Sequence, residues 1–237
     1  MVVAYPPRRF GDEVRSRSQG GFCFFWSPAV RTIAYVDGFN LYYGALKGTP
    51  YRWLDLAALL KALVPKNKIE RIRYFTAKVA ARPTDPTQPV RQSAYLRALK
   101  TLPNLDIHLG HFLASQKMMP LAQPTAVGTR CVEVISTEEK GSDVNLASWL
   151  LIDGFTDAFE VAIVISNDSD LAFPIGYVAK TMKRPVIVLN PRPSKPSVQL
   201  SKVATFVKPI RTGVLASGQF SPTLTDSFGT FTRPAGW

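Results

Sequence analysis

Residues 161–171 read VAIVISNDSDL. The first five are apolar and mostly β-branched, the composition of a strand buried on both faces. The chain then breaks into Ser166-Asn167-Asp168-Ser169-Asp170, a polar loop with two carboxylates, and an apolar helical pattern follows. In an open α/β sheet, ligands bind in the crevice at the carboxyl ends of strands. Two carboxylates there repel unless a cation lies between them, so the loop is a candidate metal site.

Downstream, Leu171, Ile175, Val178, Ala179 and Met182 fall at i, i+4, i+7, i+8 and i+11, which predicts a helix packed on the sheet. Residues 185–189 predict a second buried strand, 197–204 a short helix and 206–210 an edge strand. From 212 to 237, Gly, Ser, Thr and Pro dominate, which predicts a disordered tail.

Upstream, residues 32–36 predict a strand ending in Asp37-Gly38-Phe39-Asn40, so a carboxylate stands at the end of this strand too. An ordinary Asp-Gly turn is the plain alternative. Leu56, Leu59, Leu60 and Leu63 predict a helix over 54–64, closed by Pro65. A strand is expected over 69–77, a helix over 90–102 started by Pro89, and a strand over 106–112 that carries His108 and His111. Residues 116–130, with Pro120 and Pro124, are expected to be irregular, and 132–136 to be a short strand. After Glu138-Glu139-Lys140-Gly141-Ser142-Asp143, a helix is expected over 144–152. Asp143 at its start reads either as an N-cap or as a metal ligand. Strands alternating with helices give an α/β fold around a mostly parallel sheet with helices on both faces. The domain is expected over 31–211, after a basic extension over 1–30.

Composition narrows the function. The net charge is +12. Residues 133–170 hold nine of the seventeen acids and a single base, Lys140. The flanking segments 61–100 and 171–211 hold ten and eight Lys/Arg against two acids and none. Basic surfaces around an acidic pocket suit a polyanion that must reach a metal. Cys23 and Cys131 have no metal-type spacing, and two cysteines fit the cytoplasm better than a disulfide scaffold. No apolar run approaches the roughly 20 residues of a spanning helix. Residues 22–30 only faintly suggest a signal peptide. All-oxygen ligands favour Mg²⁺ or Mn²⁺ over Zn²⁺, and such ions support phosphodiester hydrolysis. A phosphatase using paired aspartates would need an Asp where Phe39 stands, and a Rossmann binder would need a glycine-rich first turn.

Val36-Asp37-Gly38-Phe39-Asn40-Leu41, Glu139-Lys140-Gly141-Ser142-Asp143-Val144 and Ser166-Asn167-Asp168-Ser169-Asp170-Leu171 together resemble the three signature blocks of the NYN domain, in its LabA-like branch of the PIN-like nuclease superfamily. The resemblance implies a PIN-like three-layer α/β/α sandwich and a Mg²⁺- or Mn²⁺-dependent ribonuclease acting on RNA, single-stranded above all. It implies Asp37, Asp143 and Asp168 as metal-binding acids, with Asp170 assisting and Glu139 a weaker ligand. Asn40 would meet an acid or the phosphate. Lys140 would meet a phosphate oxygen or pair with Glu139. The second function considered is a non-catalytic RNA-binding or regulatory module on the same fold. A homodimer is compatible with either, and no membrane partner is expected.

Overall fold

The computed structural model describes residues 30–123 and 130–237. The expected extension over 1–30, with its signal-like stretch, lies outside the described residues except for Val30.

Strand β1 (Val30–Asp37) runs into a short helix α1 (Gly38–Leu41), which continues as a π-helical turn over Tyr42–Leu46. Helix α2 (Leu56–Leu63) follows, capped by Asp55, whose Oδ1 accepts the backbone N–H groups of Ala57 and Ala58. Then come β2 (Asn67–Ala77), α3 (Gln88–Leu99), β3 (Leu105–Pro120), β4 (Cys131–Lys140) and α4 (Ser142–Phe155). After β5 (Val161–Ile165), a 3₁₀ turn leads to α5 (Ala172–Gly176), and β6 (Val186–Asn190), α6 (Val198–Val203) and β7 (Phe206–Pro209) complete the sheet. Helix α7 (Thr212–Ser217) and the hairpin of β8 (Thr223–Asp226) and β9 (Gly229–Thr232) follow.

The seven-stranded sheet has the order β4-β3-β2-β1-β5-β6-β7. All pairs are parallel except β3 with β4. Central strands alternate faces with period two. Ala34, Val36, Ile163, Ile165 and Leu189 enter a core shared with α2, α3 and α7. Ile33, Tyr35, Ala162, Val164, Val186 and Val188 enter one shared with α4, α5 and α6. This is the expected three-layer arrangement. The chain builds outward from β1 through β2 and β3, then crosses back to β5, so the strand order reverses between β1 and β5. Open sheets bind ligands at such a reversal.

Two expectations are corrected. The tail is not disordered: α7 and the hairpin pack against the first core through Leu215, Phe220, Phe231 and Trp237. A bidentate ion pair from Arg97 to Asp226, both contacts at 2.7 Å, fixes the hairpin. Single aromatic anchors suffice where the intervening composition suggests none. Residues 116–120 are not irregular either. β3 continues to Pro120 and pairs antiparallel with β4 from His111↔Lys140 to Pro120↔Cys131, forming an arm that carries exposed Met118 and Ile135. Pro120 is tolerated at the strand's end, where a missing donor matters least.

A charged cluster lies under the sheet. Arg73 on β2 donates to Asp153 on α4 through Nε at 2.8 Å and Nη2 at 2.9 Å. Tyr35 donates to the same carboxylate at 2.7 Å, and the guanidinium lies over the Trp149 ring at 3.8 Å. Both charged residues are buried, so each depends on the other for its solvation. Burial, then the Asp153 carboxylate, push the Tyr35 hydroxyl far above its ordinary range.

Candidate functional site

β1 delivers Asp37 to the reversal between β1 and β5. Its side chain is 2% exposed and caps α1: Oδ1 accepts the Asn40 backbone N–H at 2.9 Å. Oδ2 accepts the Ser166 hydroxyl at 2.9 Å. Gly38 is required by close approach, because a Cβ there would stand 2.6 Å from the Tyr74 hydroxyl and 2.8 Å from the Phe75 carbonyl.

β5 delivers the second acid. Ser166 Oγ, while donating to Asp37, accepts the Asp168 backbone N–H at 3.0 Å. Asp168 Oδ1 accepts the Asp170 N–H at 3.0 Å and caps the 3₁₀ turn Ser169–Leu171. Buried Ser166 thus ties the two carboxylate-bearing strand ends together. The Asn167 side chain pins the neighbouring loop, donating to the Lys195 carbonyl at 2.9 Å and accepting the Ser197 N–H at 2.8 Å. Asn40 Oδ1 faces the Asn167 N–H at 3.4 Å, a long contact across the two loops.

α4 delivers the third acid. Its N-cap is Gly141, at φ 97, a left-handed conformation that glycine adopts without strain. Glu139 Oε1 accepts both the backbone N–H (3.1 Å) and the hydroxyl (2.7 Å) of Ser142. Glu139 therefore serves the helix start, and Asp143, one residue into the helix, is not its N-cap. Lys140 pairs with Glu138 at 2.8 Å, not with Glu139. Side chains two apart on a strand share a face, which explains the choice.

The acids influence one another. Burial first, then the charges of Asp37, Asp168, Glu139 and Asp170, raise Asp143 from the ordinary 3.8 to about 6. Burial likewise raises Asp37, against the opposing hydrogen bonds from Asn40 and Ser166. A cleft of about 340 Å³ opens over the site, lined by Asp37, Asn40, Arg82, Phe112, Glu139 and Asp143 among others. Arg82, in the loop after β2, is exposed at its rim and was not singled out by sequence reasoning. Ser166 was also missed as a functional residue, although it stands inside a quoted motif. A single serine carries no spacing signal.

Among the described residues, no three acidic, His or Cys side chains form a ready-made ligand cluster. The donor set nevertheless fits a hard divalent cation. It is all oxygen, and its mutual repulsion is the penalty that a cation relieves. Mg²⁺ is commonly held by one or two carboxylates plus the substrate's own phosphate, and keeps several waters.

The NYN domain profile matches residues 31–210. The chain is 34% identical over 172 residues to 6-hydroxy-3-succinoylpyridine 3-monooxygenase HspA of Pseudomonas putida, which covers 62% of this chain and 54% of that protein. The chain thus spans about half the length of this curated relative. A crystal structure of a protein of unknown function from Vibrio parahaemolyticus aligns with a TM-score of 0.51 and 15% identity, covering 78% of this chain and 96% of that one. That likeness concerns the fold alone. No helix among the described residues is long and apolar enough to cross a membrane.

Proposed function

The chain belongs to the NYN domain family, within the PIN-like superfamily, and on that footing we propose that it is a Mg²⁺- or Mn²⁺-dependent ribonuclease acting on single-stranded RNA. The observation that carries the proposal is that Asp37 and Asp143 line one cleft while Ser166 ties Asp168 to Asp37, so three acids from β1, α4 and the end of β5 meet at the reversal of the sheet. Asp37, Asp143 and Asp168 would hold the cation. When bound, it supplies Lewis-acid chemistry, lowering the pKa of a water and offsetting charge on the phosphate.

The chain's own residues do the rest. Ser166 and the Asn40 N–H fix the Asp37 carboxylate, so no rotamer search accompanies substrate entry. The Asn40 side chain, lining the cleft, meets the phosphate or an acid. Asp170, exposed at the outer edge, assists through the field of its charge. Arg82 meets the RNA backbone as it enters, and the basic segments on either side hold it further along. Lys140 reaches a phosphate oxygen only by leaving Glu138.

The test is incubation of labelled single-stranded RNA with the purified chain and with Asp168→Ala, in Mn²⁺ and in EDTA. Cleavage by the wild type in Mn²⁺, lost in EDTA and in the variant, is the expected outcome. Undiminished cleavage by Asp168→Ala would sink the assignment. RNA binding without cleavage by the wild type would move the site to a binding role. A second reading, action on a small heteroaromatic molecule, draws on the curated relative's name and on one observation: an aromatic slot opens beside the acidic cleft.

A further inference from the structure

That slot lies between α1, the end of β2, α3 and Trp237. It shares Phe39, Tyr43 and Val79 with the acidic cleft, so the two cavities adjoin at these residues. Its walls are aromatic. Tyr42 and Tyr43 meet edge to face at 5.2 Å, and Tyr95 packs on Tyr74 at 6.4 Å and on Trp237 at 5.9 Å.

The polar groups of the slot divide into used and unused. The Tyr95 hydroxyl donates to the Leu54 carbonyl at 2.9 Å. The Gln92 amide donates to the Ala77 carbonyl at 2.8 Å and accepts the Val79 N–H at 2.9 Å. Two donors remain. The Trp237 indole N–H is buried with no hydrogen-bond partner. The hydroxyl of Tyr74, a residue only 6% exposed, has no hydrogen-bond partner among the described residues. A buried donor without an acceptor is costly, which is the state of the Trp237 indole N–H, and the Tyr74 hydroxyl stands on the wall of the slot, where a ligand can supply an acceptor.

Charge and size narrow the ligand. Aromatic walls alone would also suit an organic cation. Here Arg52 and Arg91 line the slot, Arg91 already paired with Asp85 at 2.5 Å, and no acidic side chain lines it, so a cation is disfavoured and a neutral or anionic ligand suits. The volume is about 60 Å³. At roughly 10–15 Å³ per water-sized position, that is about five such positions, the footprint of one six-membered ring.

We infer that this slot is a subsite for a single six-membered N-heteroaromatic ring, stacked between the tyrosines and Trp237 and accepting hydrogen bonds from the Tyr74 hydroxyl and the Trp237 indole. The ring's anionic substituent points toward the acidic cleft and would meet the divalent cation that the cleft's acids would hold. As a pyrimidine of an RNA strand, with its phosphate at the acids, the ring rests on the ribonuclease reading. As a free hydroxypyridine carboxylate, it does not. The shared chemistry is the same: a flat ring, an acceptor on its edge, and a negative group beyond it.

The test titrates the full chain, with Mn²⁺ present, with uridine monophosphate, adenosine monophosphate and a hydroxypyridine carboxylate, followed by calorimetry. Tyr74→Phe keeps the ring and removes the donor, and Trp237→Phe removes the indole N–H. Thermal melts check that both variants fold. The expected result is that a single-ring ligand binds at least about 10-fold more tightly than adenosine monophosphate, and that each variant loses roughly 5–10-fold, one hydrogen bond's worth. Tighter binding of uridine monophosphate assigns the slot to a nucleotide, and tighter binding of the pyridine assigns it to a free small molecule. Equal binding of one-ring and two-ring ligands, or variants that bind like the wild type, would overturn the inference. The two readings fail separately. RNA cleavage that ignores Tyr74→Phe and base identity, together with ring binding that ignores Tyr74→Phe, removes the subsite and leaves the ribonuclease. Tyr74-dependent ring binding without any cleavage removes the ribonuclease and leaves the subsite.

Discussion

Replacing Asp143 by Asn should make the metal-free protein more stable. In the folded chain, burial and the neighbouring carboxylates raise Asp143 from 3.8 to about 6. Each pKa unit corresponds to about 1.4 kcal/mol, so roughly two units give about 3 kcal/mol of penalty on the ionised form. The side chain is only half-buried and solvent screens it, which brings the figure down to about 1 kcal/mol. Asn has nearly the same shape and no charge. For a chain of this size, that predicts a rise of about 2–4 °C in melting temperature at pH 8 in EDTA. The sign with pH follows from the direction of the shift. A carboxyl raised by folding destabilises above its folded pKa, and the penalty fades as the folded protein takes up a proton between pH 6 and 4. The advantage of the Asn variant should therefore be full at pH 8 and gone near pH 4. Differential scanning calorimetry at both pH values, in EDTA, measures it. An Asn variant that melts at or below the wild type at pH 8, or keeps the same gain at pH 4, would refute the crowding argument.

Ser166→Ala strips a donor from buried Asp37 and an acceptor from the Asp168 N–H, and should cost about 1–3 kcal/mol in urea titrations while slowing any RNA cleavage. Asp153→Ala leaves buried Arg73 only a long 3.9 Å contact with Asp106, and should cost about 3–5 kcal/mol by the same titration; a loss under 1 kcal/mol would mean that water or Asp106 compensates Arg73. The Arg97 guanidinium holds Asp226 down at about 2. Because that carboxyl is lowered by folding, its contribution is present above about pH 4 and lost as pH falls toward 2. Tryptophan fluorescence, reporting Trp53 and Trp237, should change in that window, and Asp226→Asn should remove the change.

The centre of the sheet was legible because burial on both faces leaves an unbroken apolar run. Residues 161–165 and 186–189 show it, and each is followed by a polar break that fixes the strand's end. The carboxylates at the ends of β1 and β5, Asp37 and Asp168, follow from topology once the strands are parallel. The β3–β4 arm was legible only at 106–112 and 132–136; its outer part is largely exposed, and Pro120 and Pro124 read as breaks. The role of Asp143 as a helix residue rather than a cap depended on Gly141 taking a left-handed turn and on Glu139 reaching Ser142, neither of which spacing reveals. The slot beside the cleft could not be read at all. Trp237 and Tyr74 are 163 positions apart along the chain, and only packing brings them to one cavity.

The serine that ties β5 to β1 spans 129 positions of sequence. Closing so long a loop is slow compared with forming local helices, because its entropy is spent before the contact is made. The acidic site therefore cannot exist in any amino-terminal fragment that stops short of Ile165, however well β1, β2 and α2 have folded. During synthesis the chain carries its first carboxylate for most of its length as an inert strand end. The site is complete only once the second half of the sheet has docked.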